Sequence, residues 1–241
     1  MKTVAPDYYP LFKCSAGSCR HTCCQGWEID IDSESLSRFE KVPDIAAKIE
    51  YGDTAHFRLM PGDRCPFLQE DGLCSMIIRY GEDMLCGICT DHPRFRNYFS
   101  DRVELGLGLV CEEAAKLILS RDKAMELITL QDDGVSEPLP DDEMYLIELR
   151  EELMEQIQDE GPQARLMEYL LYRHLPDALY DGMLQQRIDF INSAYCVITD
   201  KWMNSGNTID ELAEICRCFS YDVEYDDEVL EESIRLGKVK I

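Results

Sequence analysis

The chain has 241 residues, of which 45% are hydrophobic, and it contains 14 glycines and 10 prolines. This composition is typical of a globular protein, and it excludes collagen-like, low-complexity and largely disordered chains. Acidic residues number 48 against 24 basic residues, so the formal net charge is −24. Because this charge repels a phosphate backbone, we expect no nucleic acid partner.

The start of the chain, MKTVAPDYYPLF, has one lysine and lacks the apolar stretch of a signal peptide. No run of residues approaches the roughly 18–20 continuous apolar residues of a membrane span. We therefore expect a cytoplasmic protein that has no membrane partner.

Twelve cysteines are the most unusual feature of the composition, and nine of them lie in the first 111 residues. An extracellular disulfide scaffold would use such a density. The missing export signal, the length of the chain and the short spacings between cysteines instead favour ligation of a metal or cluster. Buried, inert thiols are the alternative interpretation.

Charge divides the chain into two halves, with a net charge of −6 for residues 1–120 and −18 for residues 121–241. Between them, the stretch LQDDGVSEPLPDDE (130–143) combines prolines, a glycine and acidic residues, which is typical of an exposed linker. We therefore predict a cysteine-rich, metal- or cluster-binding domain over residues 1–129 and an acidic α-helical domain over residues 141–241.

The helices predicted in the first half are short. Asp32 or Ser33 can cap a helix over SESLSRFEKV, because both side chains can accept a hydrogen bond from the first turn. Pro43 can open a second helix that runs to Gly52, because the fixed φ of proline suits the first helical position.

Two further segments place cysteines at defined positions. In CPFLQEDGLCSMI, the Asp71–Gly72 pair predicts a β-hairpin that brings Cys65 and Cys74 side by side. The segment VELGLGLVCEEAAKLIL predicts an extended stretch that runs into a helix, with Cys111 at the junction.

The second half has helical periodicity. Apolar residues recur at spacings of three and four over segments 144–157, 164–175 and 184–202, and usual helix lengths leave room for about four helices. We expect the thiols in or near these helices to pack as small apolar groups and not as ligands. These are Cys196, Cys216 and Cys218. The expected fold class is mainly α, with a loop-rich cysteine domain that forms a small hairpin around a metal cluster, followed by an α-helical domain.

The cysteine spacings suit a soft metal. The run C-x4-C-x3-C-C can converge on one site at little loop-closure cost, and it is followed by C-x8-C, C-x2-C and Cys111. The zinc-ribbon pattern, which has two C-x2-C pairs, is absent. Adjacent Cys23 and Cys24 are awkward as joint ligands of one tetrahedral ion, so we expect them to serve two irons or two sites.

Four strings together resemble the flagellin lysine-N-methylase family. They are FKCSAGSCRHTCCQGWEIDID (12–32), CPFLQEDGLCSMI (65–77), LCGICTDHPRF (85–95) and CEEAAKLIL (111–119). The family lies within a wider cysteine-cluster group described as zinc- or iron-chelating, and the resemblance covers roughly residues 8–120. It implies methyl transfer from S-adenosylmethionine to lysines of flagellin, the protein partner, and an iron–sulfur cluster at the cysteine motif. Family members are commonly longer after the cysteine region, which leaves open whether this shorter chain keeps the substrate site.

The resemblance favours a 4Fe–4S cluster over the alternative, zinc. Cys86 ranks below Cys89 as a ligand because the family has it less regularly. The expected ligands are drawn from Cys14, Cys19, Cys23, Cys24, Cys65, Cys74, Cys89 and Cys111.

An independent site for S-adenosylmethionine is not evident from the sequence. The stretch ELGLG (104–108) contains a G-x-G, but no alternation of strands and helices surrounds it, so it is a weak nucleotide-binding motif. The radical-enzyme spacing C-x3-C-x2-C is absent. We therefore expect the methyl donor to bind beside the cluster. There Arg94 can pair with the carboxylate of the methyl donor. We expect Trp27 to cover the cysteine cluster as a hydrophobic lid rather than to stack on the adenine of the methyl donor.

A lysine ammonium must lose its proton before it can attack the sulfonium methyl group. Glu82, Asp83 and Tyr80 lie in or next to the family motifs and are the candidate catalytic residues, although surface polar residues and loop caps would look the same. His21 and His92 lie close to cysteines and are weaker candidates for a mixed cysteine and histidine site.

Three function classes stay open at this point. The first, favoured by the motifs, is a protein-lysine methyltransferase. The second is a non-catalytic iron–sulfur or zinc protein, such as an electron-transfer protein, for which the cysteines suffice. The third is a zinc-stabilised interaction module whose acidic helical half binds a basic partner.

Overall fold

The structure of the protein is a computed structural model, and it describes residues 1–135 and 137–240. Contacts divide the chain into unit 1, Met1–Lys13 with Pro93–Ile241, and unit 2, Cys14–His92. The cut points differ from the boundaries drawn from charge and composition. The predicted domains over residues 1–129 and 141–241 stay a prediction.

Unit 2 consists of short elements joined by irregular segments. Its helices are α1 (Ser33–Phe39), α2 (Pro43–Ala46), α3 (Ser75–Tyr80) and α4 (Gly87–Asp91), and strands β2 (Ile49–Tyr51) and β3 (Ala55–Phe57) form an antiparallel pair. Asp32 caps α1 as predicted, since its side chain accepts a hydrogen bond from the Ser35 amide. The helix predicted from Pro43 to Gly52 is wrong beyond Ala46, because the chain there turns into β2 and pairs with β3.

The turn predicted at Asp71–Gly72 is present, but it does not join two strands. Gly72 has φ +78°, which favours glycine, and the Gln69 amide donates to the Leu73 carbonyl at 2.9 Å. One isolated bridge joins Leu68 to Cys74. In the described part of unit 2, the regular hairpin is therefore β2–β3, and the cysteine segment is a tight loop.

Unit 1 contains a mixed four-stranded sheet in the order β4-β5-β1-β6. Its strands are β1 (Lys2–Pro6), β4 (Arg94–Tyr98), β5 (Arg102–Leu107) and β6 (Leu127–Asp132). The first strand of the chain lies inside the sheet, parallel to β5 and antiparallel to β6. The prediction of a mainly α fold is confirmed for the helices, but it missed this sheet. One of its strands, β6, occupies the start of the predicted linker.

The helices of unit 1 surround an apolar core. They are α5 (Glu112–Leu119), α6 (Asp141–Glu155), α7 (Gly161–His174), α8 (Ala178–Asp181), α9 (Leu184–Met203), α10 (Ile209–Phe219) and α11 (Asp227–Leu236). The three helices predicted from periodicity correspond to α6, α7 and α9. Cys216 is buried as expected, whereas Cys196 and Cys218 are exposed, which corrects the expectation for those two. Within residues 1–135 and 137–240, no helix is long and apolar enough to cross a membrane.

A buried ion pair connects the sheet to α6. Arg150 holds both carboxylate oxygens of Glu104, with N–O distances of 2.7 and 2.8 Å, and Arg102 adds a third contact at 3.0 Å. Burial opposes ionisation of Glu104, but the two arginines outweigh it and hold the pKa of this carboxyl below its usual value. The pair therefore stabilises the fold only while both partners are present.

We expect Glu104→Gln to lower the free energy of unfolding by about 3–5 kcal/mol, because it leaves Arg150 buried without its counter-charge. Glu126→Gln is the control, since Glu126 forms only an exposed 3.7 Å pair with Lys123 and should cost less than about 1 kcal/mol. Denaturant unfolding followed by circular dichroism measures both. Equal, small losses in the two variants would contradict the role given to Glu104.

Candidate functional site

Six cysteines of unit 2 surround one cavity of about 80 Å³. This volume exceeds the roughly 10–15 Å³ that one water molecule needs. The remaining walls are largely aromatic and aliphatic, and they include Trp27, Phe57 and Phe67. The six cysteines are Cys23, Cys24, Cys65, Cys74, Cys86 and Cys89.

Backbone contacts bring these cysteines together from three parts of the chain. The Cys65 amide donates to the Cys24 carbonyl at 2.8 Å, which joins the first cysteine run to the second. Cys74 and Cys86 are the N-cap residues of α3 and α4, so both thiols lie at helix starts. Cys65 and Cys74 line one cavity, and this confirms the convergence that the predicted hairpin was meant to produce.

Asp32 fixes the position of α4 relative to α1. One carboxylate oxygen accepts from the Ser35 amide and the other from the Gly87 amide, each at 2.8 Å. The Gly87 and Ser35 amides stabilise the charged form, which lowers the pKa of Asp32 to about 2. This one side chain therefore holds the start of α4, and with it Cys86, in place.

The cavity thiols differ in their pKa values. A hydrogen bond from Cys23 lowers the pKa of Cys24 to about 7, and a hydrogen bond from Cys89 lowers the pKa of Cys86 to about 7. The same bond raises the pKa of Cys89, and burial raises that of Cys65 to about 12. The cavity thus contains thiols that ionise readily next to thiols that do not, and thiolates are the form that binds soft metals.

Four of the six thiols form two hydrogen-bonded pairs, Cys23 with Cys24 and Cys86 with Cys89. Among the described residues, no three cysteine, histidine or acidic side chains have a metal-binding arrangement. The donor set nevertheless fits a thiophilic metal, since six sulfur atoms line one cavity and soft thiolates suit iron–sulfur clusters and zinc.

Three expected ligands lie elsewhere. Cys14 is exposed, and its sulfur accepts from the Ala16 amide, while the Cys19 thiol donates to the His21 carbonyl at 2.8 Å. Cys111 belongs to unit 1, where it is the N-cap of α5. None of the three is among the residues that line the cavity as the structure describes it. Their roles as ligands stay a prediction.

Two residues that ranked as weaker candidates from the sequence, Cys86 and His92, line the cavity. Cys86 is fully buried and hydrogen-bonded to Cys89, although it ranked below Cys89 as a ligand. His92 lines the cavity with its ring 6.3 Å from that of Trp27. The C-x2-C spacing, followed three residues later by the histidine, was the available signal for both.

Trp27 forms part of the cavity wall. Its indole N–H donates to the Cys23 carbonyl at 2.8 Å, which fixes the ring beside the thiols. This is the place that the hydrophobic-lid interpretation requires. Contact of Trp27 with a cofactor stays a prediction.

The candidate catalytic residues lie at the end of α3 and just after it, outside the cavity lining. Tyr80 ends α3 and packs partly against the core of unit 2. Glu82 and Asp83 lie on an exposed 3₁₀ turn, where the Asp83 carbonyl accepts from Arg38 at 2.6 Å. Arg94 begins β4 in unit 1, with its guanidinium carbon 5.8 and 5.5 Å from the ring centres of Tyr9 and Phe12. Their predicted roles are untested.

Known proteins match about half of the chain. A Lysine-N-methylase of Salmonella choleraesuis (strain SC-B67) is 29% identical over 136 residues, which cover 51% of this chain and 33% of the relative. A Lysine-N-methylase of Salmonella typhimurium (strain LT2) is 28% identical over the same length and shares. The match therefore spans only about a third of these two relatives.

A third relative is shorter. The Flagellar biosynthetic protein FliU of Salmonella muenchen is 28% identical over 134 residues, which cover 51% of this chain and 79% of FliU. No family model matches the chain. No solved structure matches it either.

We expect Asp32→Ala to lower the stability of unit 2 by about 1 kcal/mol at neutral pH, the usual cost of a lost helix cap. The folded pKa of about 2 lies below the unfolded value of 3.8, so the carboxylate stabilises the fold above pH 3.8. That contribution is lost as the pH falls towards 2. The difference between wild type and variant should therefore shrink between pH 4 and pH 2.

Fluorescence of Trp27 during denaturant unfolding, in a Trp202→Phe background, reports on unit 2 alone. Glu70→Ala removes another exposed carboxylate of the same unit and is the control. A difference between wild type and Asp32→Ala that stayed constant from pH 5 to pH 2 would contradict the assignment.

We expect Cys24→Ser and Cys86→Ser to lower the metal content of anaerobically purified protein by half or more, because each removes a low-pKa thiol of the cavity. Cys196→Ser and Cys218→Ser change exposed thiols of unit 1 and should leave it unchanged. Iron, zinc and acid-labile sulfide per chain are the measurements, and sulfide separates a cluster from zinc. The reverse pattern, with metal lost only from the two control variants, would invert the assignment.

Proposed function

We propose that the protein transfers a methyl group from S-adenosylmethionine to the ε-amine of lysines on flagellin. The observation that carries this proposal is the similarity of half the chain to two lysine-N-methylases and to FliU. The thiol cavity also supports the proposal, because the family that the sequence resembles has an iron–sulfur cluster at its cysteine motif.

The acceptor amine needs two conditions from the protein. The ammonium must be attracted to the site, and it must then lose a proton before its lone pair attacks the methyl carbon. Glu82 and Asp83 are exposed on the turn after α3, where they can meet a lysine on the surface of another protein. Tyr80, half-buried beside them, would orient the amine. In the transfer the carbon–sulfur bond of the sulfonium breaks, a carbon–nitrogen bond forms, and a carboxylate accepts the proton.

The cavity thiols would hold the metal centre of this enzyme. Four of the six cavity thiols would ligate a 4Fe–4S cluster, and Trp27 would shield one side of it from water. If only three thiols ligate the cluster, one iron would be open to a ligand from the methyl donor. The pairing of Cys86 with Cys89 keeps one of these thiols ready to ionise.

The second candidate function is that of a metal protein without catalysis. Six thiols around one cavity are sufficient for an electron-transfer or zinc-binding role, and neither role needs a site for a methyl donor. A protein that contains iron and sulfide but binds no S-adenosylmethionine would belong to this class. One that contains only zinc would be the interaction module.

We expect anaerobic incubation with S-adenosylmethionine and flagellin to add mass to lysine-containing peptides in steps of one methylene group. Glu82→Gln and Asp83→Asn should lower the rate about 10²–10⁴-fold if either carboxylate accepts the proton. Glu70→Gln, an exposed carboxylate of the same unit, is the matched control. Peptide mass spectrometry measures the product.

Protein that holds its metal centre and binds the methyl donor, but adds no methyl groups, would refute the proposal and favour the second candidate function. Equal rates for all three variants would leave methyl transfer intact and remove Glu82 and Asp83 from the mechanism.

A further inference from the structure

A second cavity lies in unit 1, between the segment 11–13 and one face of α5. Its volume is about 290 Å³, close to the lower end of the roughly 300–1,000 Å³ that small-molecule pockets have. It is lined by residues 11–13 and by four residues of α5 and its C-cap, and we call it the α5 cleft. All of these residues belong to unit 1, and none of them lines the thiol cavity. The α5 cleft is therefore separate from the site described above.

Part of the lining is apolar and is fixed to the core. Phe12 and Leu117 pack against the main apolar cluster of unit 1. A 3₁₀ turn, Tyr9–Leu11, precedes Phe12, and the Phe12 amide closes this turn by donating to the Tyr9 carbonyl at 3.3 Å. Leu11 also lines the cleft and is 62% exposed. The cleft thus presents apolar surface that a ligand would remove from water.

The other wall of the cleft is one face of α5. Its lining residues, from Glu113 to the C-cap Ser120, recur every three or four positions, which places them on the same side of the helix. Lys116 is held on this face by ion pairs with Glu112 at 3.1 Å and with Asp210 at 2.9 Å. Two carboxylates therefore already balance the charge of Lys116.

Lys13 and Glu113 supply the two unpaired charges of the cleft. Among residues 1–135 and 137–240, neither side chain has a hydrogen bond or an ion pair. Glu113 is half-buried, and no basic nitrogen of these residues lies within 4.0 Å of its carboxylate, although two lysines line the same cleft. One cation and one anion thus line the same space without contact. A ligand that carries both charges would neutralise the two groups together.

We propose that the α5 cleft binds a free amino acid with an apolar side chain, as its zwitterion. The carboxylate of the amino acid pairs with Lys13, its ammonium pairs with Glu113, and its side chain covers Phe12 and Leu117. A simple anion would leave Glu113 unpaired, and a simple cation would meet two lysines. The net charge of −24 disfavours a simple anion further. This inference does not depend on the proposed methyl transfer.

The test follows the backbone amide signals of α5 in NMR spectra of the full chain. L-Leucine is compared with isocaproate, which lacks the amino group, and with leucinamide, which lacks the carboxylate, at neutral pH and constant ionic strength. We expect a saturable shift with L-leucine, with a dissociation constant on the order of millimolar. Each analogue should bind about tenfold more weakly, because each loses one hydrogen bond between charged groups. Equal binding of the three compounds, or no saturable shift with L-leucine, would overturn the proposal.

Two variants separate the two charges of the cleft. Glu113→Gln should weaken the binding of L-leucine about tenfold without weakening that of isocaproate, because only an ammonium loses its partner. Lys13→Gln should weaken the binding of L-leucine and isocaproate without weakening that of leucinamide, because only a carboxylate loses its partner. Lys201→Gln removes an exposed lysine of α9 and is the control, which should change none of the three affinities. Circular dichroism verifies that each variant is folded. Variants of Lys13 and Glu113 that weaken all three compounds alike, or none of them, would contradict the assignment.

Discussion

The core of unit 2 combines apolar side chains with a cluster of cysteine thiols. Its helices have four to seven residues and its strands three, so regular hydrogen bonding supplies little of its order. Units of this size need a further constraint such as a metal or cross-links. Apolar residues such as Phe39 and Phe57 pack around the thiols instead of replacing them. Occupancy of the cavity and stability of the unit are therefore linked, because a group that binds only the folded form stabilises it.

Two of the buried carboxylates of unit 1, Glu104 and Glu224, are stabilised in different ways. Glu104 forms ion pairs with Arg150 and Arg102, which neutralise its charge. Glu224 instead takes its hydrogen bonds from a tyrosine, a histidine and a serine. The charge of Arg173 also helps to lower the pKa of Glu224. The first carboxylate thus depends on direct ion pairs, and the second on a network of hydrogen bonds within the core.

Several kinds of observation bear on function, and each concerns a different part of the proposed reaction. Similarity to lysine-N-methylases concerns about a third of those proteins, so it says more about the cysteine chemistry shared with them than about substrate choice. The cavity adds a place where six thiols lie together. Exposed carboxylates on the turn after α3 add groups that an external lysine can reach. The function proposed above follows from these observations together, since none supplies both a cofactor site and an acceptor site.

Local chemistry could be read from the sequence because it depends on neighbours along the chain. The cap at Asp32, the apolar faces of α6, α7 and α9, and the approach of Cys65 to Cys74 all follow from spacing or from one turn. Only the tertiary structure decided which thiols share the cavity. Within unit 2 it placed Cys86 on the cavity wall and Cys19 outside the lining, because membership depends on contacts between segments far apart in sequence. The same reason explains the sheet, whose β1 pairs with strands about a hundred residues away. It also explains the G-x-G. A Cβ at Gly106 would meet the Phe95 ring, and a Cβ at Gly108 would meet the Tyr225 hydroxyl. Sequence by itself determined which reactive groups this chain contains, and long-range packing decided which of them lie together, since burial and pairing are properties of the folded chain.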